Sequence, residues 1–158
     1  MTLNLGIIAL AAIIPLIVGS VWYNPKVLGN VWMKASGLSE DYLKKGNMMV
    51  IFGLTYVLCI MLGIVVTNMV IHQNGVASIF AEISDKADFN DFISKYGGLY
   101  RTFKHGVFHG VLVSLFFVLP VVGIISLFER RGFKYIAIHV GYWMISLALM
   151  GGVICQFS

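Results

Sequence analysis

The sequence predicts an all-α fold: an integral membrane four-helix bundle with short amphipathic helices at the membrane surface. Of its 158 residues, 59% are hydrophobic and only 11% are charged, against roughly a quarter charged in a typical soluble domain. Four stretches contain no Asp, Glu, Lys or Arg: 1–25, 46–81, 105–128 and 135–158. Each is long enough to cross a bilayer, which takes about 20 residues. The pattern excludes a soluble domain, a disordered chain, a nucleic-acid-binding module and a disulfide scaffold.

The first predicted span covers about residues 3–23 and ends in two aromatic side chains. Pro15 lies inside it, and a membrane helix tolerates proline with a kink when its neighbours satisfy the freed carbonyl. Trp22 and Tyr23 come at its end, and such residues are enriched where a helix leaves the membrane. We therefore expect these two side chains to form an interfacial aromatic belt.

A short helix on the membrane surface is predicted next, over residues 25–34. Pro25 suits the first turn of a helix, and apolar residues recur on one face between two flanking lysines. Gly37 ends this helix, and Ser39, followed by two acids, is typical of a new helix start. The second span then covers about residues 48–71.

Residues 74–100 form an extramembrane segment that is too long to be structureless. Apolar residues recur at helical spacing in both of its halves, with acids and lysines on the opposite sides. Asp88 is a candidate N-cap for the second half, which Gly97 and Gly98 close. We expect an amphipathic helix or helical pair that rests on the membrane or covers the bundle.

The third and fourth spans cover about residues 104–128 and 133–155, and a tight charged turn joins them. Glu129 and Arg130 lie in this turn. We expect Glu129 to pair with Arg130, with Arg131 or with a lysine of the first loop. Such a pair is interpreted as a structural clamp in preference to a gating or catalytic carboxylate.

Small residues recur at helical spacing on three of the spans. They let helix backbones approach closely in a membrane, where no hydrophobic force drives helices together. The predicted packing residues are Thr55, Cys59, Gly63 and Thr67 in the second span, Gly106, Gly110 and Ser114 in the third, and Gly141 and Gly152 in the fourth. These surfaces exceed what closing one small bundle requires, so they favour a homo-oligomer or assembly with other membrane subunits.

The basic residues predict an orientation. Loops 24–47 and 129–134 share one side and contain four and three Lys or Arg, whereas 72–104 contains four that are balanced by four acids. The loops with the excess of Lys and Arg face the cytoplasm. Loops 24–47 and 129–134 are therefore expected in the cytoplasm, with 72–104 and both termini outside.

Several short motifs resemble those of one bacterial membrane family. They are GSVWYNP at 19–25, continuing through Gly29 to Trp32 and Met33, then GLS at 37–39, LFER at 127–130, GYW at 141–143 and MGG at 150–152. Together they are similar to domain of unknown function 1761, and FKHGVFHG at 103–110 resembles its Bacteroidota-type members. The resemblance covers nearly the whole chain. It implies a four-span protein of the bacterial inner membrane and no established activity.

Three histidines are predicted to lie at similar depth on the outer side. His105 and His109 are four residues apart on one helix face, and His72 closes the second span on that side. Imidazoles so placed can bind a transition metal. The acids that could complete the ligand set are Glu82, Asp88 and Asp91. Alternatively, the histidines hydrogen-bond to loop carbonyls or to water.

The sequence predicts no cofactor. A haem needs two facing histidines at one depth, but His109 and His139 differ by roughly 15 Å in height across the bilayer. His139 is therefore interpreted as a polar side chain that is satisfied within the bundle. A nucleophile with a base at the same depth is not evident either, so an enzyme is not favoured.

Three functions remain open from the sequence. The first is a small non-enzymatic membrane protein that self-associates or serves as an accessory subunit of a larger inner-membrane complex. The second is a small-solute or ion transporter or channel, although the four charge-free stretches offer no carboxylate for coupled transport. The third is a metal-dependent membrane enzyme built on the outer histidines. Nucleic acid is not an expected partner of any of them.

Overall fold

The regular secondary structure of the described residues is helical throughout. The computed structural model describes residues 3–81 and 87–158. Four helices are long and apolar enough to span a membrane: span 1 (Leu5–Trp22), span 2 (Met48–Val70), span 3 (Phe103–Phe128) and span 4 (Phe133–Phe157). They confirm the predicted all-α class with four spans.

Span 4 lies at the centre of the bundle. More than half of its most apolar stretch is buried, against less than a quarter in each of the other spans. Spans 1, 2 and 3 all contact it. The shared core includes Ala11 and Ala12 from span 1, Cys59 and Val66 from span 2, and Leu147, Met150 and Ile154 from span 4. The outer faces of spans 2 and 3 remain apolar and exposed, as in helices that face lipid.

The two ends of the bundle differ in the segments they carry. One end carries the chain from Ile71 to Thr102, which connects spans 2 and 3, and we call it the histidine end. The other carries residues 23–47 and the turn 129–132, and we call it the basic end. Spans 1 and 3 run from the histidine end to the basic end, and spans 2 and 4 run back.

Close backbone contacts join spans 3 and 4 in the half near the histidine end. A Cβ atom added at Gly106 would collide with the backbone of Gly151, and one added at Gly110 would collide with the backbone of Leu147. Ser114, one turn further along, is fully buried, and its hydroxyl donates to the Gly110 carbonyl at 2.8 Å. Only residues without a larger side chain permit this approach.

Other small residues also lie at contacts within the chain. A Cβ atom at Gly63 of span 2 would come within 2.9 Å of Ile8 on span 1, and one at Gly152 would come within 2.6 Å of the Phe103 ring. The Thr67 hydroxyl donates to the Gly63 carbonyl at 2.7 Å. These predicted packing residues therefore serve the packing of a single chain.

Proline interrupts the regular hydrogen bonding of spans 1 and 3. Span 1 consists of two helices, Leu5–Ala11 and Ile14–Trp22, because Pro15 has no N–H to continue the ladder. Span 3 contains a wider turn at Ser114–Val118, directly before the turn that holds Pro120. Such local breaks are tolerated in membrane helices when neighbours satisfy the backbone.

Two short helices follow span 1 at the basic end. They are Asn30–Ser36, which a wide turn at Pro25–Gly29 precedes, and Glu40–Leu43. The wide turn requires Gly29, because a Cβ atom there would collide with the carbonyl of Tyr23. Gly37 ends the longer helix with a φ of +68°, a conformation that glycine adopts readily.

The segment between spans 2 and 3 contains two helices, His72–Phe80 and Ala87–Tyr96. Asp88 lies within the first turn of the second helix, so it is not the N-cap that the sequence predicted. Its negative charge interacts favourably there with the helix dipole. Gln73 is buried, and its amide donates to the carbonyls of Tyr96 and Leu99 at 3.2 and 2.8 Å. These hydrogen bonds fix the end of the second helix to the start of the first.

Trp22 and Tyr23, the residues predicted to form an aromatic belt at the end of span 1, contact span 4 through their polar atoms. The indole N–H of Trp22 donates to the Ile138 carbonyl at 3.1 Å, and the Tyr23 hydroxyl lies 3.2 Å from Nδ1 of His139. A Cβ atom at Gly141 would come within 2.9 Å of the Trp22 ring. The rings turn inward because span 4 offers partners for their polar atoms that lipid chains do not.

The charged turn between spans 3 and 4 ties the basic end together. Nε of Arg131 lies 3.5 Å from Oε2 of Glu129, so Arg131 is the partner of Glu129 among the candidates that the sequence left open. Nη1 of Arg131 also donates to the Ser36 carbonyl at 2.8 Å. The Arg130 backbone closes the turn with a φ of +56°. The ion pair is partly exposed and contributes at most about 1 kcal/mol.

Candidate metal centre

Three histidines from separate parts of the chain meet at the histidine end. Span 2 ends at Val70, and the backbone of Ile71 is extended, so that His72 turns away and begins the next helix. His105 and His109 lie one turn apart at the start of span 3. The turn at Ile71 therefore places one imidazole, and the helical repeat places the other two.

The start of span 3 is oriented by its cap and its glycines. Oγ of Thr102 accepts a hydrogen bond from the His105 amide at 3.3 Å. Gly106 and Gly110 face span 4. Each of the two histidines directly precedes one of these glycines, so its side chain lies about 100° away from that glycine around the helix axis. His105 and His109 are therefore turned toward the end of span 2.

The three imidazoles are close enough to share one ligand. Nε2 of His105 lies 2.9 Å from Nε2 of His72. The ring centroid of His109 is 4.5 Å from that of His105 and 5.0 Å from that of His72. One nitrogen from each of the three rings lies within 4.8 Å of the other two. His72 is exposed and the other two are half-buried, so the group is reachable from the surface.

This spacing is near what a single metal ion requires. With Zn–N bonds of about 2.0–2.1 Å, two nitrogens at a tetrahedral angle lie roughly 3.3 Å apart. The Nε2 atoms of His72 and His105 are 2.9 Å apart, slightly closer than this value. The limit of 4.8 Å within which all three nitrogens lie is greater than this value. Small rotations of the imidazole rings cover such differences. The backbone therefore brings three potential metal ligands close to one point.

The donor set indicates which ions fit. In the described part of the chain the group consists of histidines alone; Asp88 and Asp91 are not members of it, and Glu82 lies outside the described residues. Neutral imidazoles suit zinc, copper, nickel and iron, whereas calcium and magnesium require oxygen ligands. Three protein ligands leave a coordination position for water or another small ligand.

Tyr100 covers one side of the histidine group. Its ring stacks on His105 with centroids 5.2 Å apart and an interplanar angle of 23°. Its backbone adopts a φ of +61°, an uncommon conformation for a bulky residue and a form of strain that is concentrated at functional sites. The Cys155 thiol donates to the Tyr100 carbonyl at 3.3 Å. No pattern in the sequence indicates this residue, because a backbone with positive φ usually belongs to glycine or asparagine.

A small cavity opens beside His72. Its volume is about 250 Å³. His72 and Gln73 form its polar side, and aromatic and aliphatic side chains of the connecting segment form the rest: Val76, Phe92, Tyr96, Leu99 and Tyr100. A ligand at the open coordination position would therefore meet a mostly apolar wall.

His139 belongs to a different cluster, at the basic end. Its Nδ1 contacts the Tyr23 hydroxyl, and its ring lies 4.3 Å from the ring of Tyr135. Burial raises the pKa of Tyr23, and the neighbouring phenols of Tyr142 and Tyr135 raise it further, so this hydroxyl stays protonated. Nε2 of His139 is buried and has no hydrogen-bond partner within the described residues. The expectation that this imidazole is satisfied in the bundle therefore holds for only one of its nitrogens.

The fold and the site define a four-span helical membrane protein with a group of histidines at one end. The chain belongs to the family described as protein of unknown function (DUF1761), whose model matches residues 7–155. This confirms the family that the motifs indicated. Comparison with curated proteins and with solved structures found no significant match in either set.

Proposed function

We propose that this chain is a membrane protein that binds one transition-metal ion through His72, His105 and His109. A single observation carries the proposal: one nitrogen from each of the three rings lies within 4.8 Å of the other two. An i, i+4 pair on a helix is common, but the convergence of a third imidazole from another helix is what a metal ligand set needs. The exposure of His72 gives the ion a path to the site.

The test is metal analysis of the purified chain, with zinc and copper supplied in turn. We expect about one ion per chain and loss of that ion in His105→Ala and in His72→Ala. His139→Gln is the matched control, because His139 lies at the opposite end and should leave the metal content unchanged. Wild-type protein that binds neither ion stoichiometrically would contradict the proposal.

Association with a second copy, or with other subunits of a membrane complex, is a second proposal. It is supported by the wide apolar surface of spans 2 and 3, which includes the exposed side chains of Leu58, Met61, Phe116 and Phe117. Most of the small-residue stripes are used inside the bundle, so contacts would form through these larger side chains. Mass measurement after mild detergent extraction tests this proposal, and a lone monomer in every detergent would exclude it.

A transport path is less well supported by the packing. The level midway along the bundle is occupied by fully buried side chains, including Ala12, Cys59 and Leu147. Such a core leaves little room for water between the spans. A transporter would have to open this core between the spans. Uptake or efflux of a solute by the reconstituted protein is the measurement that would support a transport function.

We further propose that the protein lies in the bacterial inner membrane with its basic end in the cytoplasm. The support is the excess of Lys and Arg in loops 24–47 and 129–134. Ser39→Cys and Ser94→Cys are made one at a time in a background in which Cys59 and Cys155 are replaced by alanine. Each variant then reports one side of the membrane. An impermeant thiol reagent applied to whole spheroplasts should label the cysteine at 94 and not that at 39, and the reverse labelling would overturn the orientation.

A further inference from the structure

A second cavity, of about 550 Å³, lies between spans 1 and 2 near the basic end. The two spans touch further toward the histidine end, where the Tyr56 hydroxyl donates to the Ala9 carbonyl at 3.1 Å. Between this contact and the basic end, Gly19 and Ser20 of span 1 and Thr55 of span 2 line the cavity. These residues are too small to fill the space between the two helices.

Mostly aromatic side chains close the cavity on two sides. Trp32 and Leu43, from the short helices of the basic end, close its floor, and Tyr142 of span 4 forms its back wall. Tyr23 joins the two, with its ring 5.0 Å from that of Trp32 and 5.3 Å from that of Tyr142. Gly19 lies against this wall, since a Cβ atom there would be in van der Waals contact with the Tyr142 ring at 3.4 Å. The motif run from 19 to 33 therefore builds the cavity.

Apart from the hydroxyl of Thr55, the walls of the cavity offer little hydrogen bonding to a ligand. The Ser20 hydroxyl donates to the Ile17 carbonyl at 2.7 Å, and the Tyr142 hydroxyl donates to the Pro15 carbonyl at 3.1 Å. Tyr23 is engaged with span 4, as described above. None of the described residues that line the cavity is charged. An occupant must therefore place an apolar group here, since a polar group would lose its hydrogen bonds to water.

The cavity opens toward the outer surface of the bundle. Met48, Ile51 and Phe52 line it and are also 50%, 47% and 48% exposed. They lie in the first two turns of span 2, where the surface of a membrane-spanning helix meets lipid. The apolar groups that reach this opening most readily are therefore lipid chains.

Positive charge lies next to the floor of the cavity along the chain, although it does not line the cavity. Lys44 and Lys45 directly follow Leu43, and the loop 24–47 contains four lysines against two acids. Lys44 lies 3.0 Å from Glu40, but both side chains are mostly exposed, so the pair is weak. Lysines at a membrane surface attract anionic headgroups.

We propose that this cavity holds one acyl chain of an anionic phospholipid whose phosphate lies against Lys44 and Lys45. The charge of the loop complements the headgroup, and the apolar walls complement the chain. The site uses none of the proposed metal ligands and lies at the other end of the bundle. It therefore stands or falls separately from the metal-binding proposal.

The experiment measures which lipid stays with the full chain. The protein is reconstituted in vesicles of equal parts phosphatidylglycerol and phosphatidylcholine, extracted in mild detergent and examined by native mass spectrometry. We expect one phosphatidylglycerol per chain. Thr55→Phe, which fills the cavity, should reduce the retained lipid at least about tenfold. Ser20→Leu fills it from the other helix and provides a second variant should the first fail to fold, as judged by circular dichroism.

Two further variants separate the acyl chain from the headgroup. Lys44→Gln with Lys45→Gln should reduce the preference for phosphatidylglycerol roughly 30-fold, at about 1 kcal/mol per lysine. Lys134→Gln, a lysine at the same end on span 4, and Leu58→Phe, on the exposed face of span 2, are the matched controls and should retain the lipid. Wild-type protein without bound lipid, equal retention of both lipids, or full retention by both cavity-filling variants would each overturn the proposal.

Discussion

The two ends of the bundle are built from different kinds of side chain. At the histidine end, glycines bring the backbones of spans 3 and 4 together, and Gly106 and Gly110 leave no space for a Cβ atom. At the basic end, aromatic rings lie between spans 1 and 4, where Trp22 donates to the Ile138 carbonyl and Tyr142 to the Pro15 carbonyl. In the second half of span 3, Gly123 has no atom within 4 Å of the position of a Cβ. Spans 3 and 4 are therefore in tight contact at the histidine end, and the second half of span 3 is more open around Gly123.

This difference suits the two ends to different ligands. Backbone contact with span 4 fixes the position of the start of span 3, which carries two of the three proposed metal ligands, His105 and His109. Aromatic walls with small residues between them leave an apolar volume, as the acyl chain of a lipid requires.

The tight end should tolerate no added side-chain atom. Gly110→Ala places a methyl group against the Leu147 backbone and is expected to destabilise the protein by about 3 kcal/mol, the upper part of the range for overpacking. Gly123→Ala is the matched control on the same helix and should be neutral or stabilising by up to about 1 kcal/mol. Thermal unfolding in detergent measures both. Equal effects of the two variants would show that spans 3 and 4 are not tighter at the histidine end.

A metal ion should stabilise the histidine end by binding only the folded state. At an ion concentration of 100 times Kd, the free energy of unfolding should rise by about 2.7 kcal/mol. The increase should be absent in His109→Ala and present in His139→Gln. Unfolding monitored with and without added zinc provides the measurement, and an increase in His109→Ala equal to that of wild type would place the ion elsewhere.

The aromatic contacts of the basic end should contribute less individually. Tyr23→Phe removes the partner of Nδ1 of His139, whose Nε2 already lacks one among the described residues. A buried polar group left unpaired costs about 1–3 kcal/mol. Tyr42→Phe, at an exposed phenol, should have no effect. Metal content should be unchanged in both variants, and a loss of metal in Tyr23→Phe would show that the two ends are coupled.

The smallest expected effect concerns two residues with positive φ, one at each end. Arg130→Gly relieves the strain of an exposed turn and should stabilise the protein by about 0.5 kcal/mol, the gain left after the greater chain entropy of glycine. Tyr100→Gly relieves similar strain but removes the ring that stacks on His105, so it should also weaken metal binding. Unfolding and metal titration separate the two outcomes. Arg130→Gly with lower stability than wild type would contradict the interpretation of strain.

Much of the histidine end could be predicted from the sequence. The i, i+4 spacing puts His105 and His109 on one face whatever the helix packs against, because the helical repeat is local. The basic end was less predictable. Trp22 and Tyr23 occur where an aromatic belt would occur, and the sequence does not state which way a ring at the end of a span turns. That choice depends on the partners that span 4 supplies.

The amino-acid sequence is sufficient to place the four spans, because a charge within a bilayer is costly and the 11 basic and 7 acidic residues all fall outside four long stretches. It also indicates that small residues mark the helix contacts. The tertiary structure is needed to know which contacts those are, how the turn at Ile71 brings His72 to the other two imidazoles, and where a cavity remains between spans 1 and 2. These features depend on distances between helices remote in sequence, and side-chain packing, not local pattern, sets such distances.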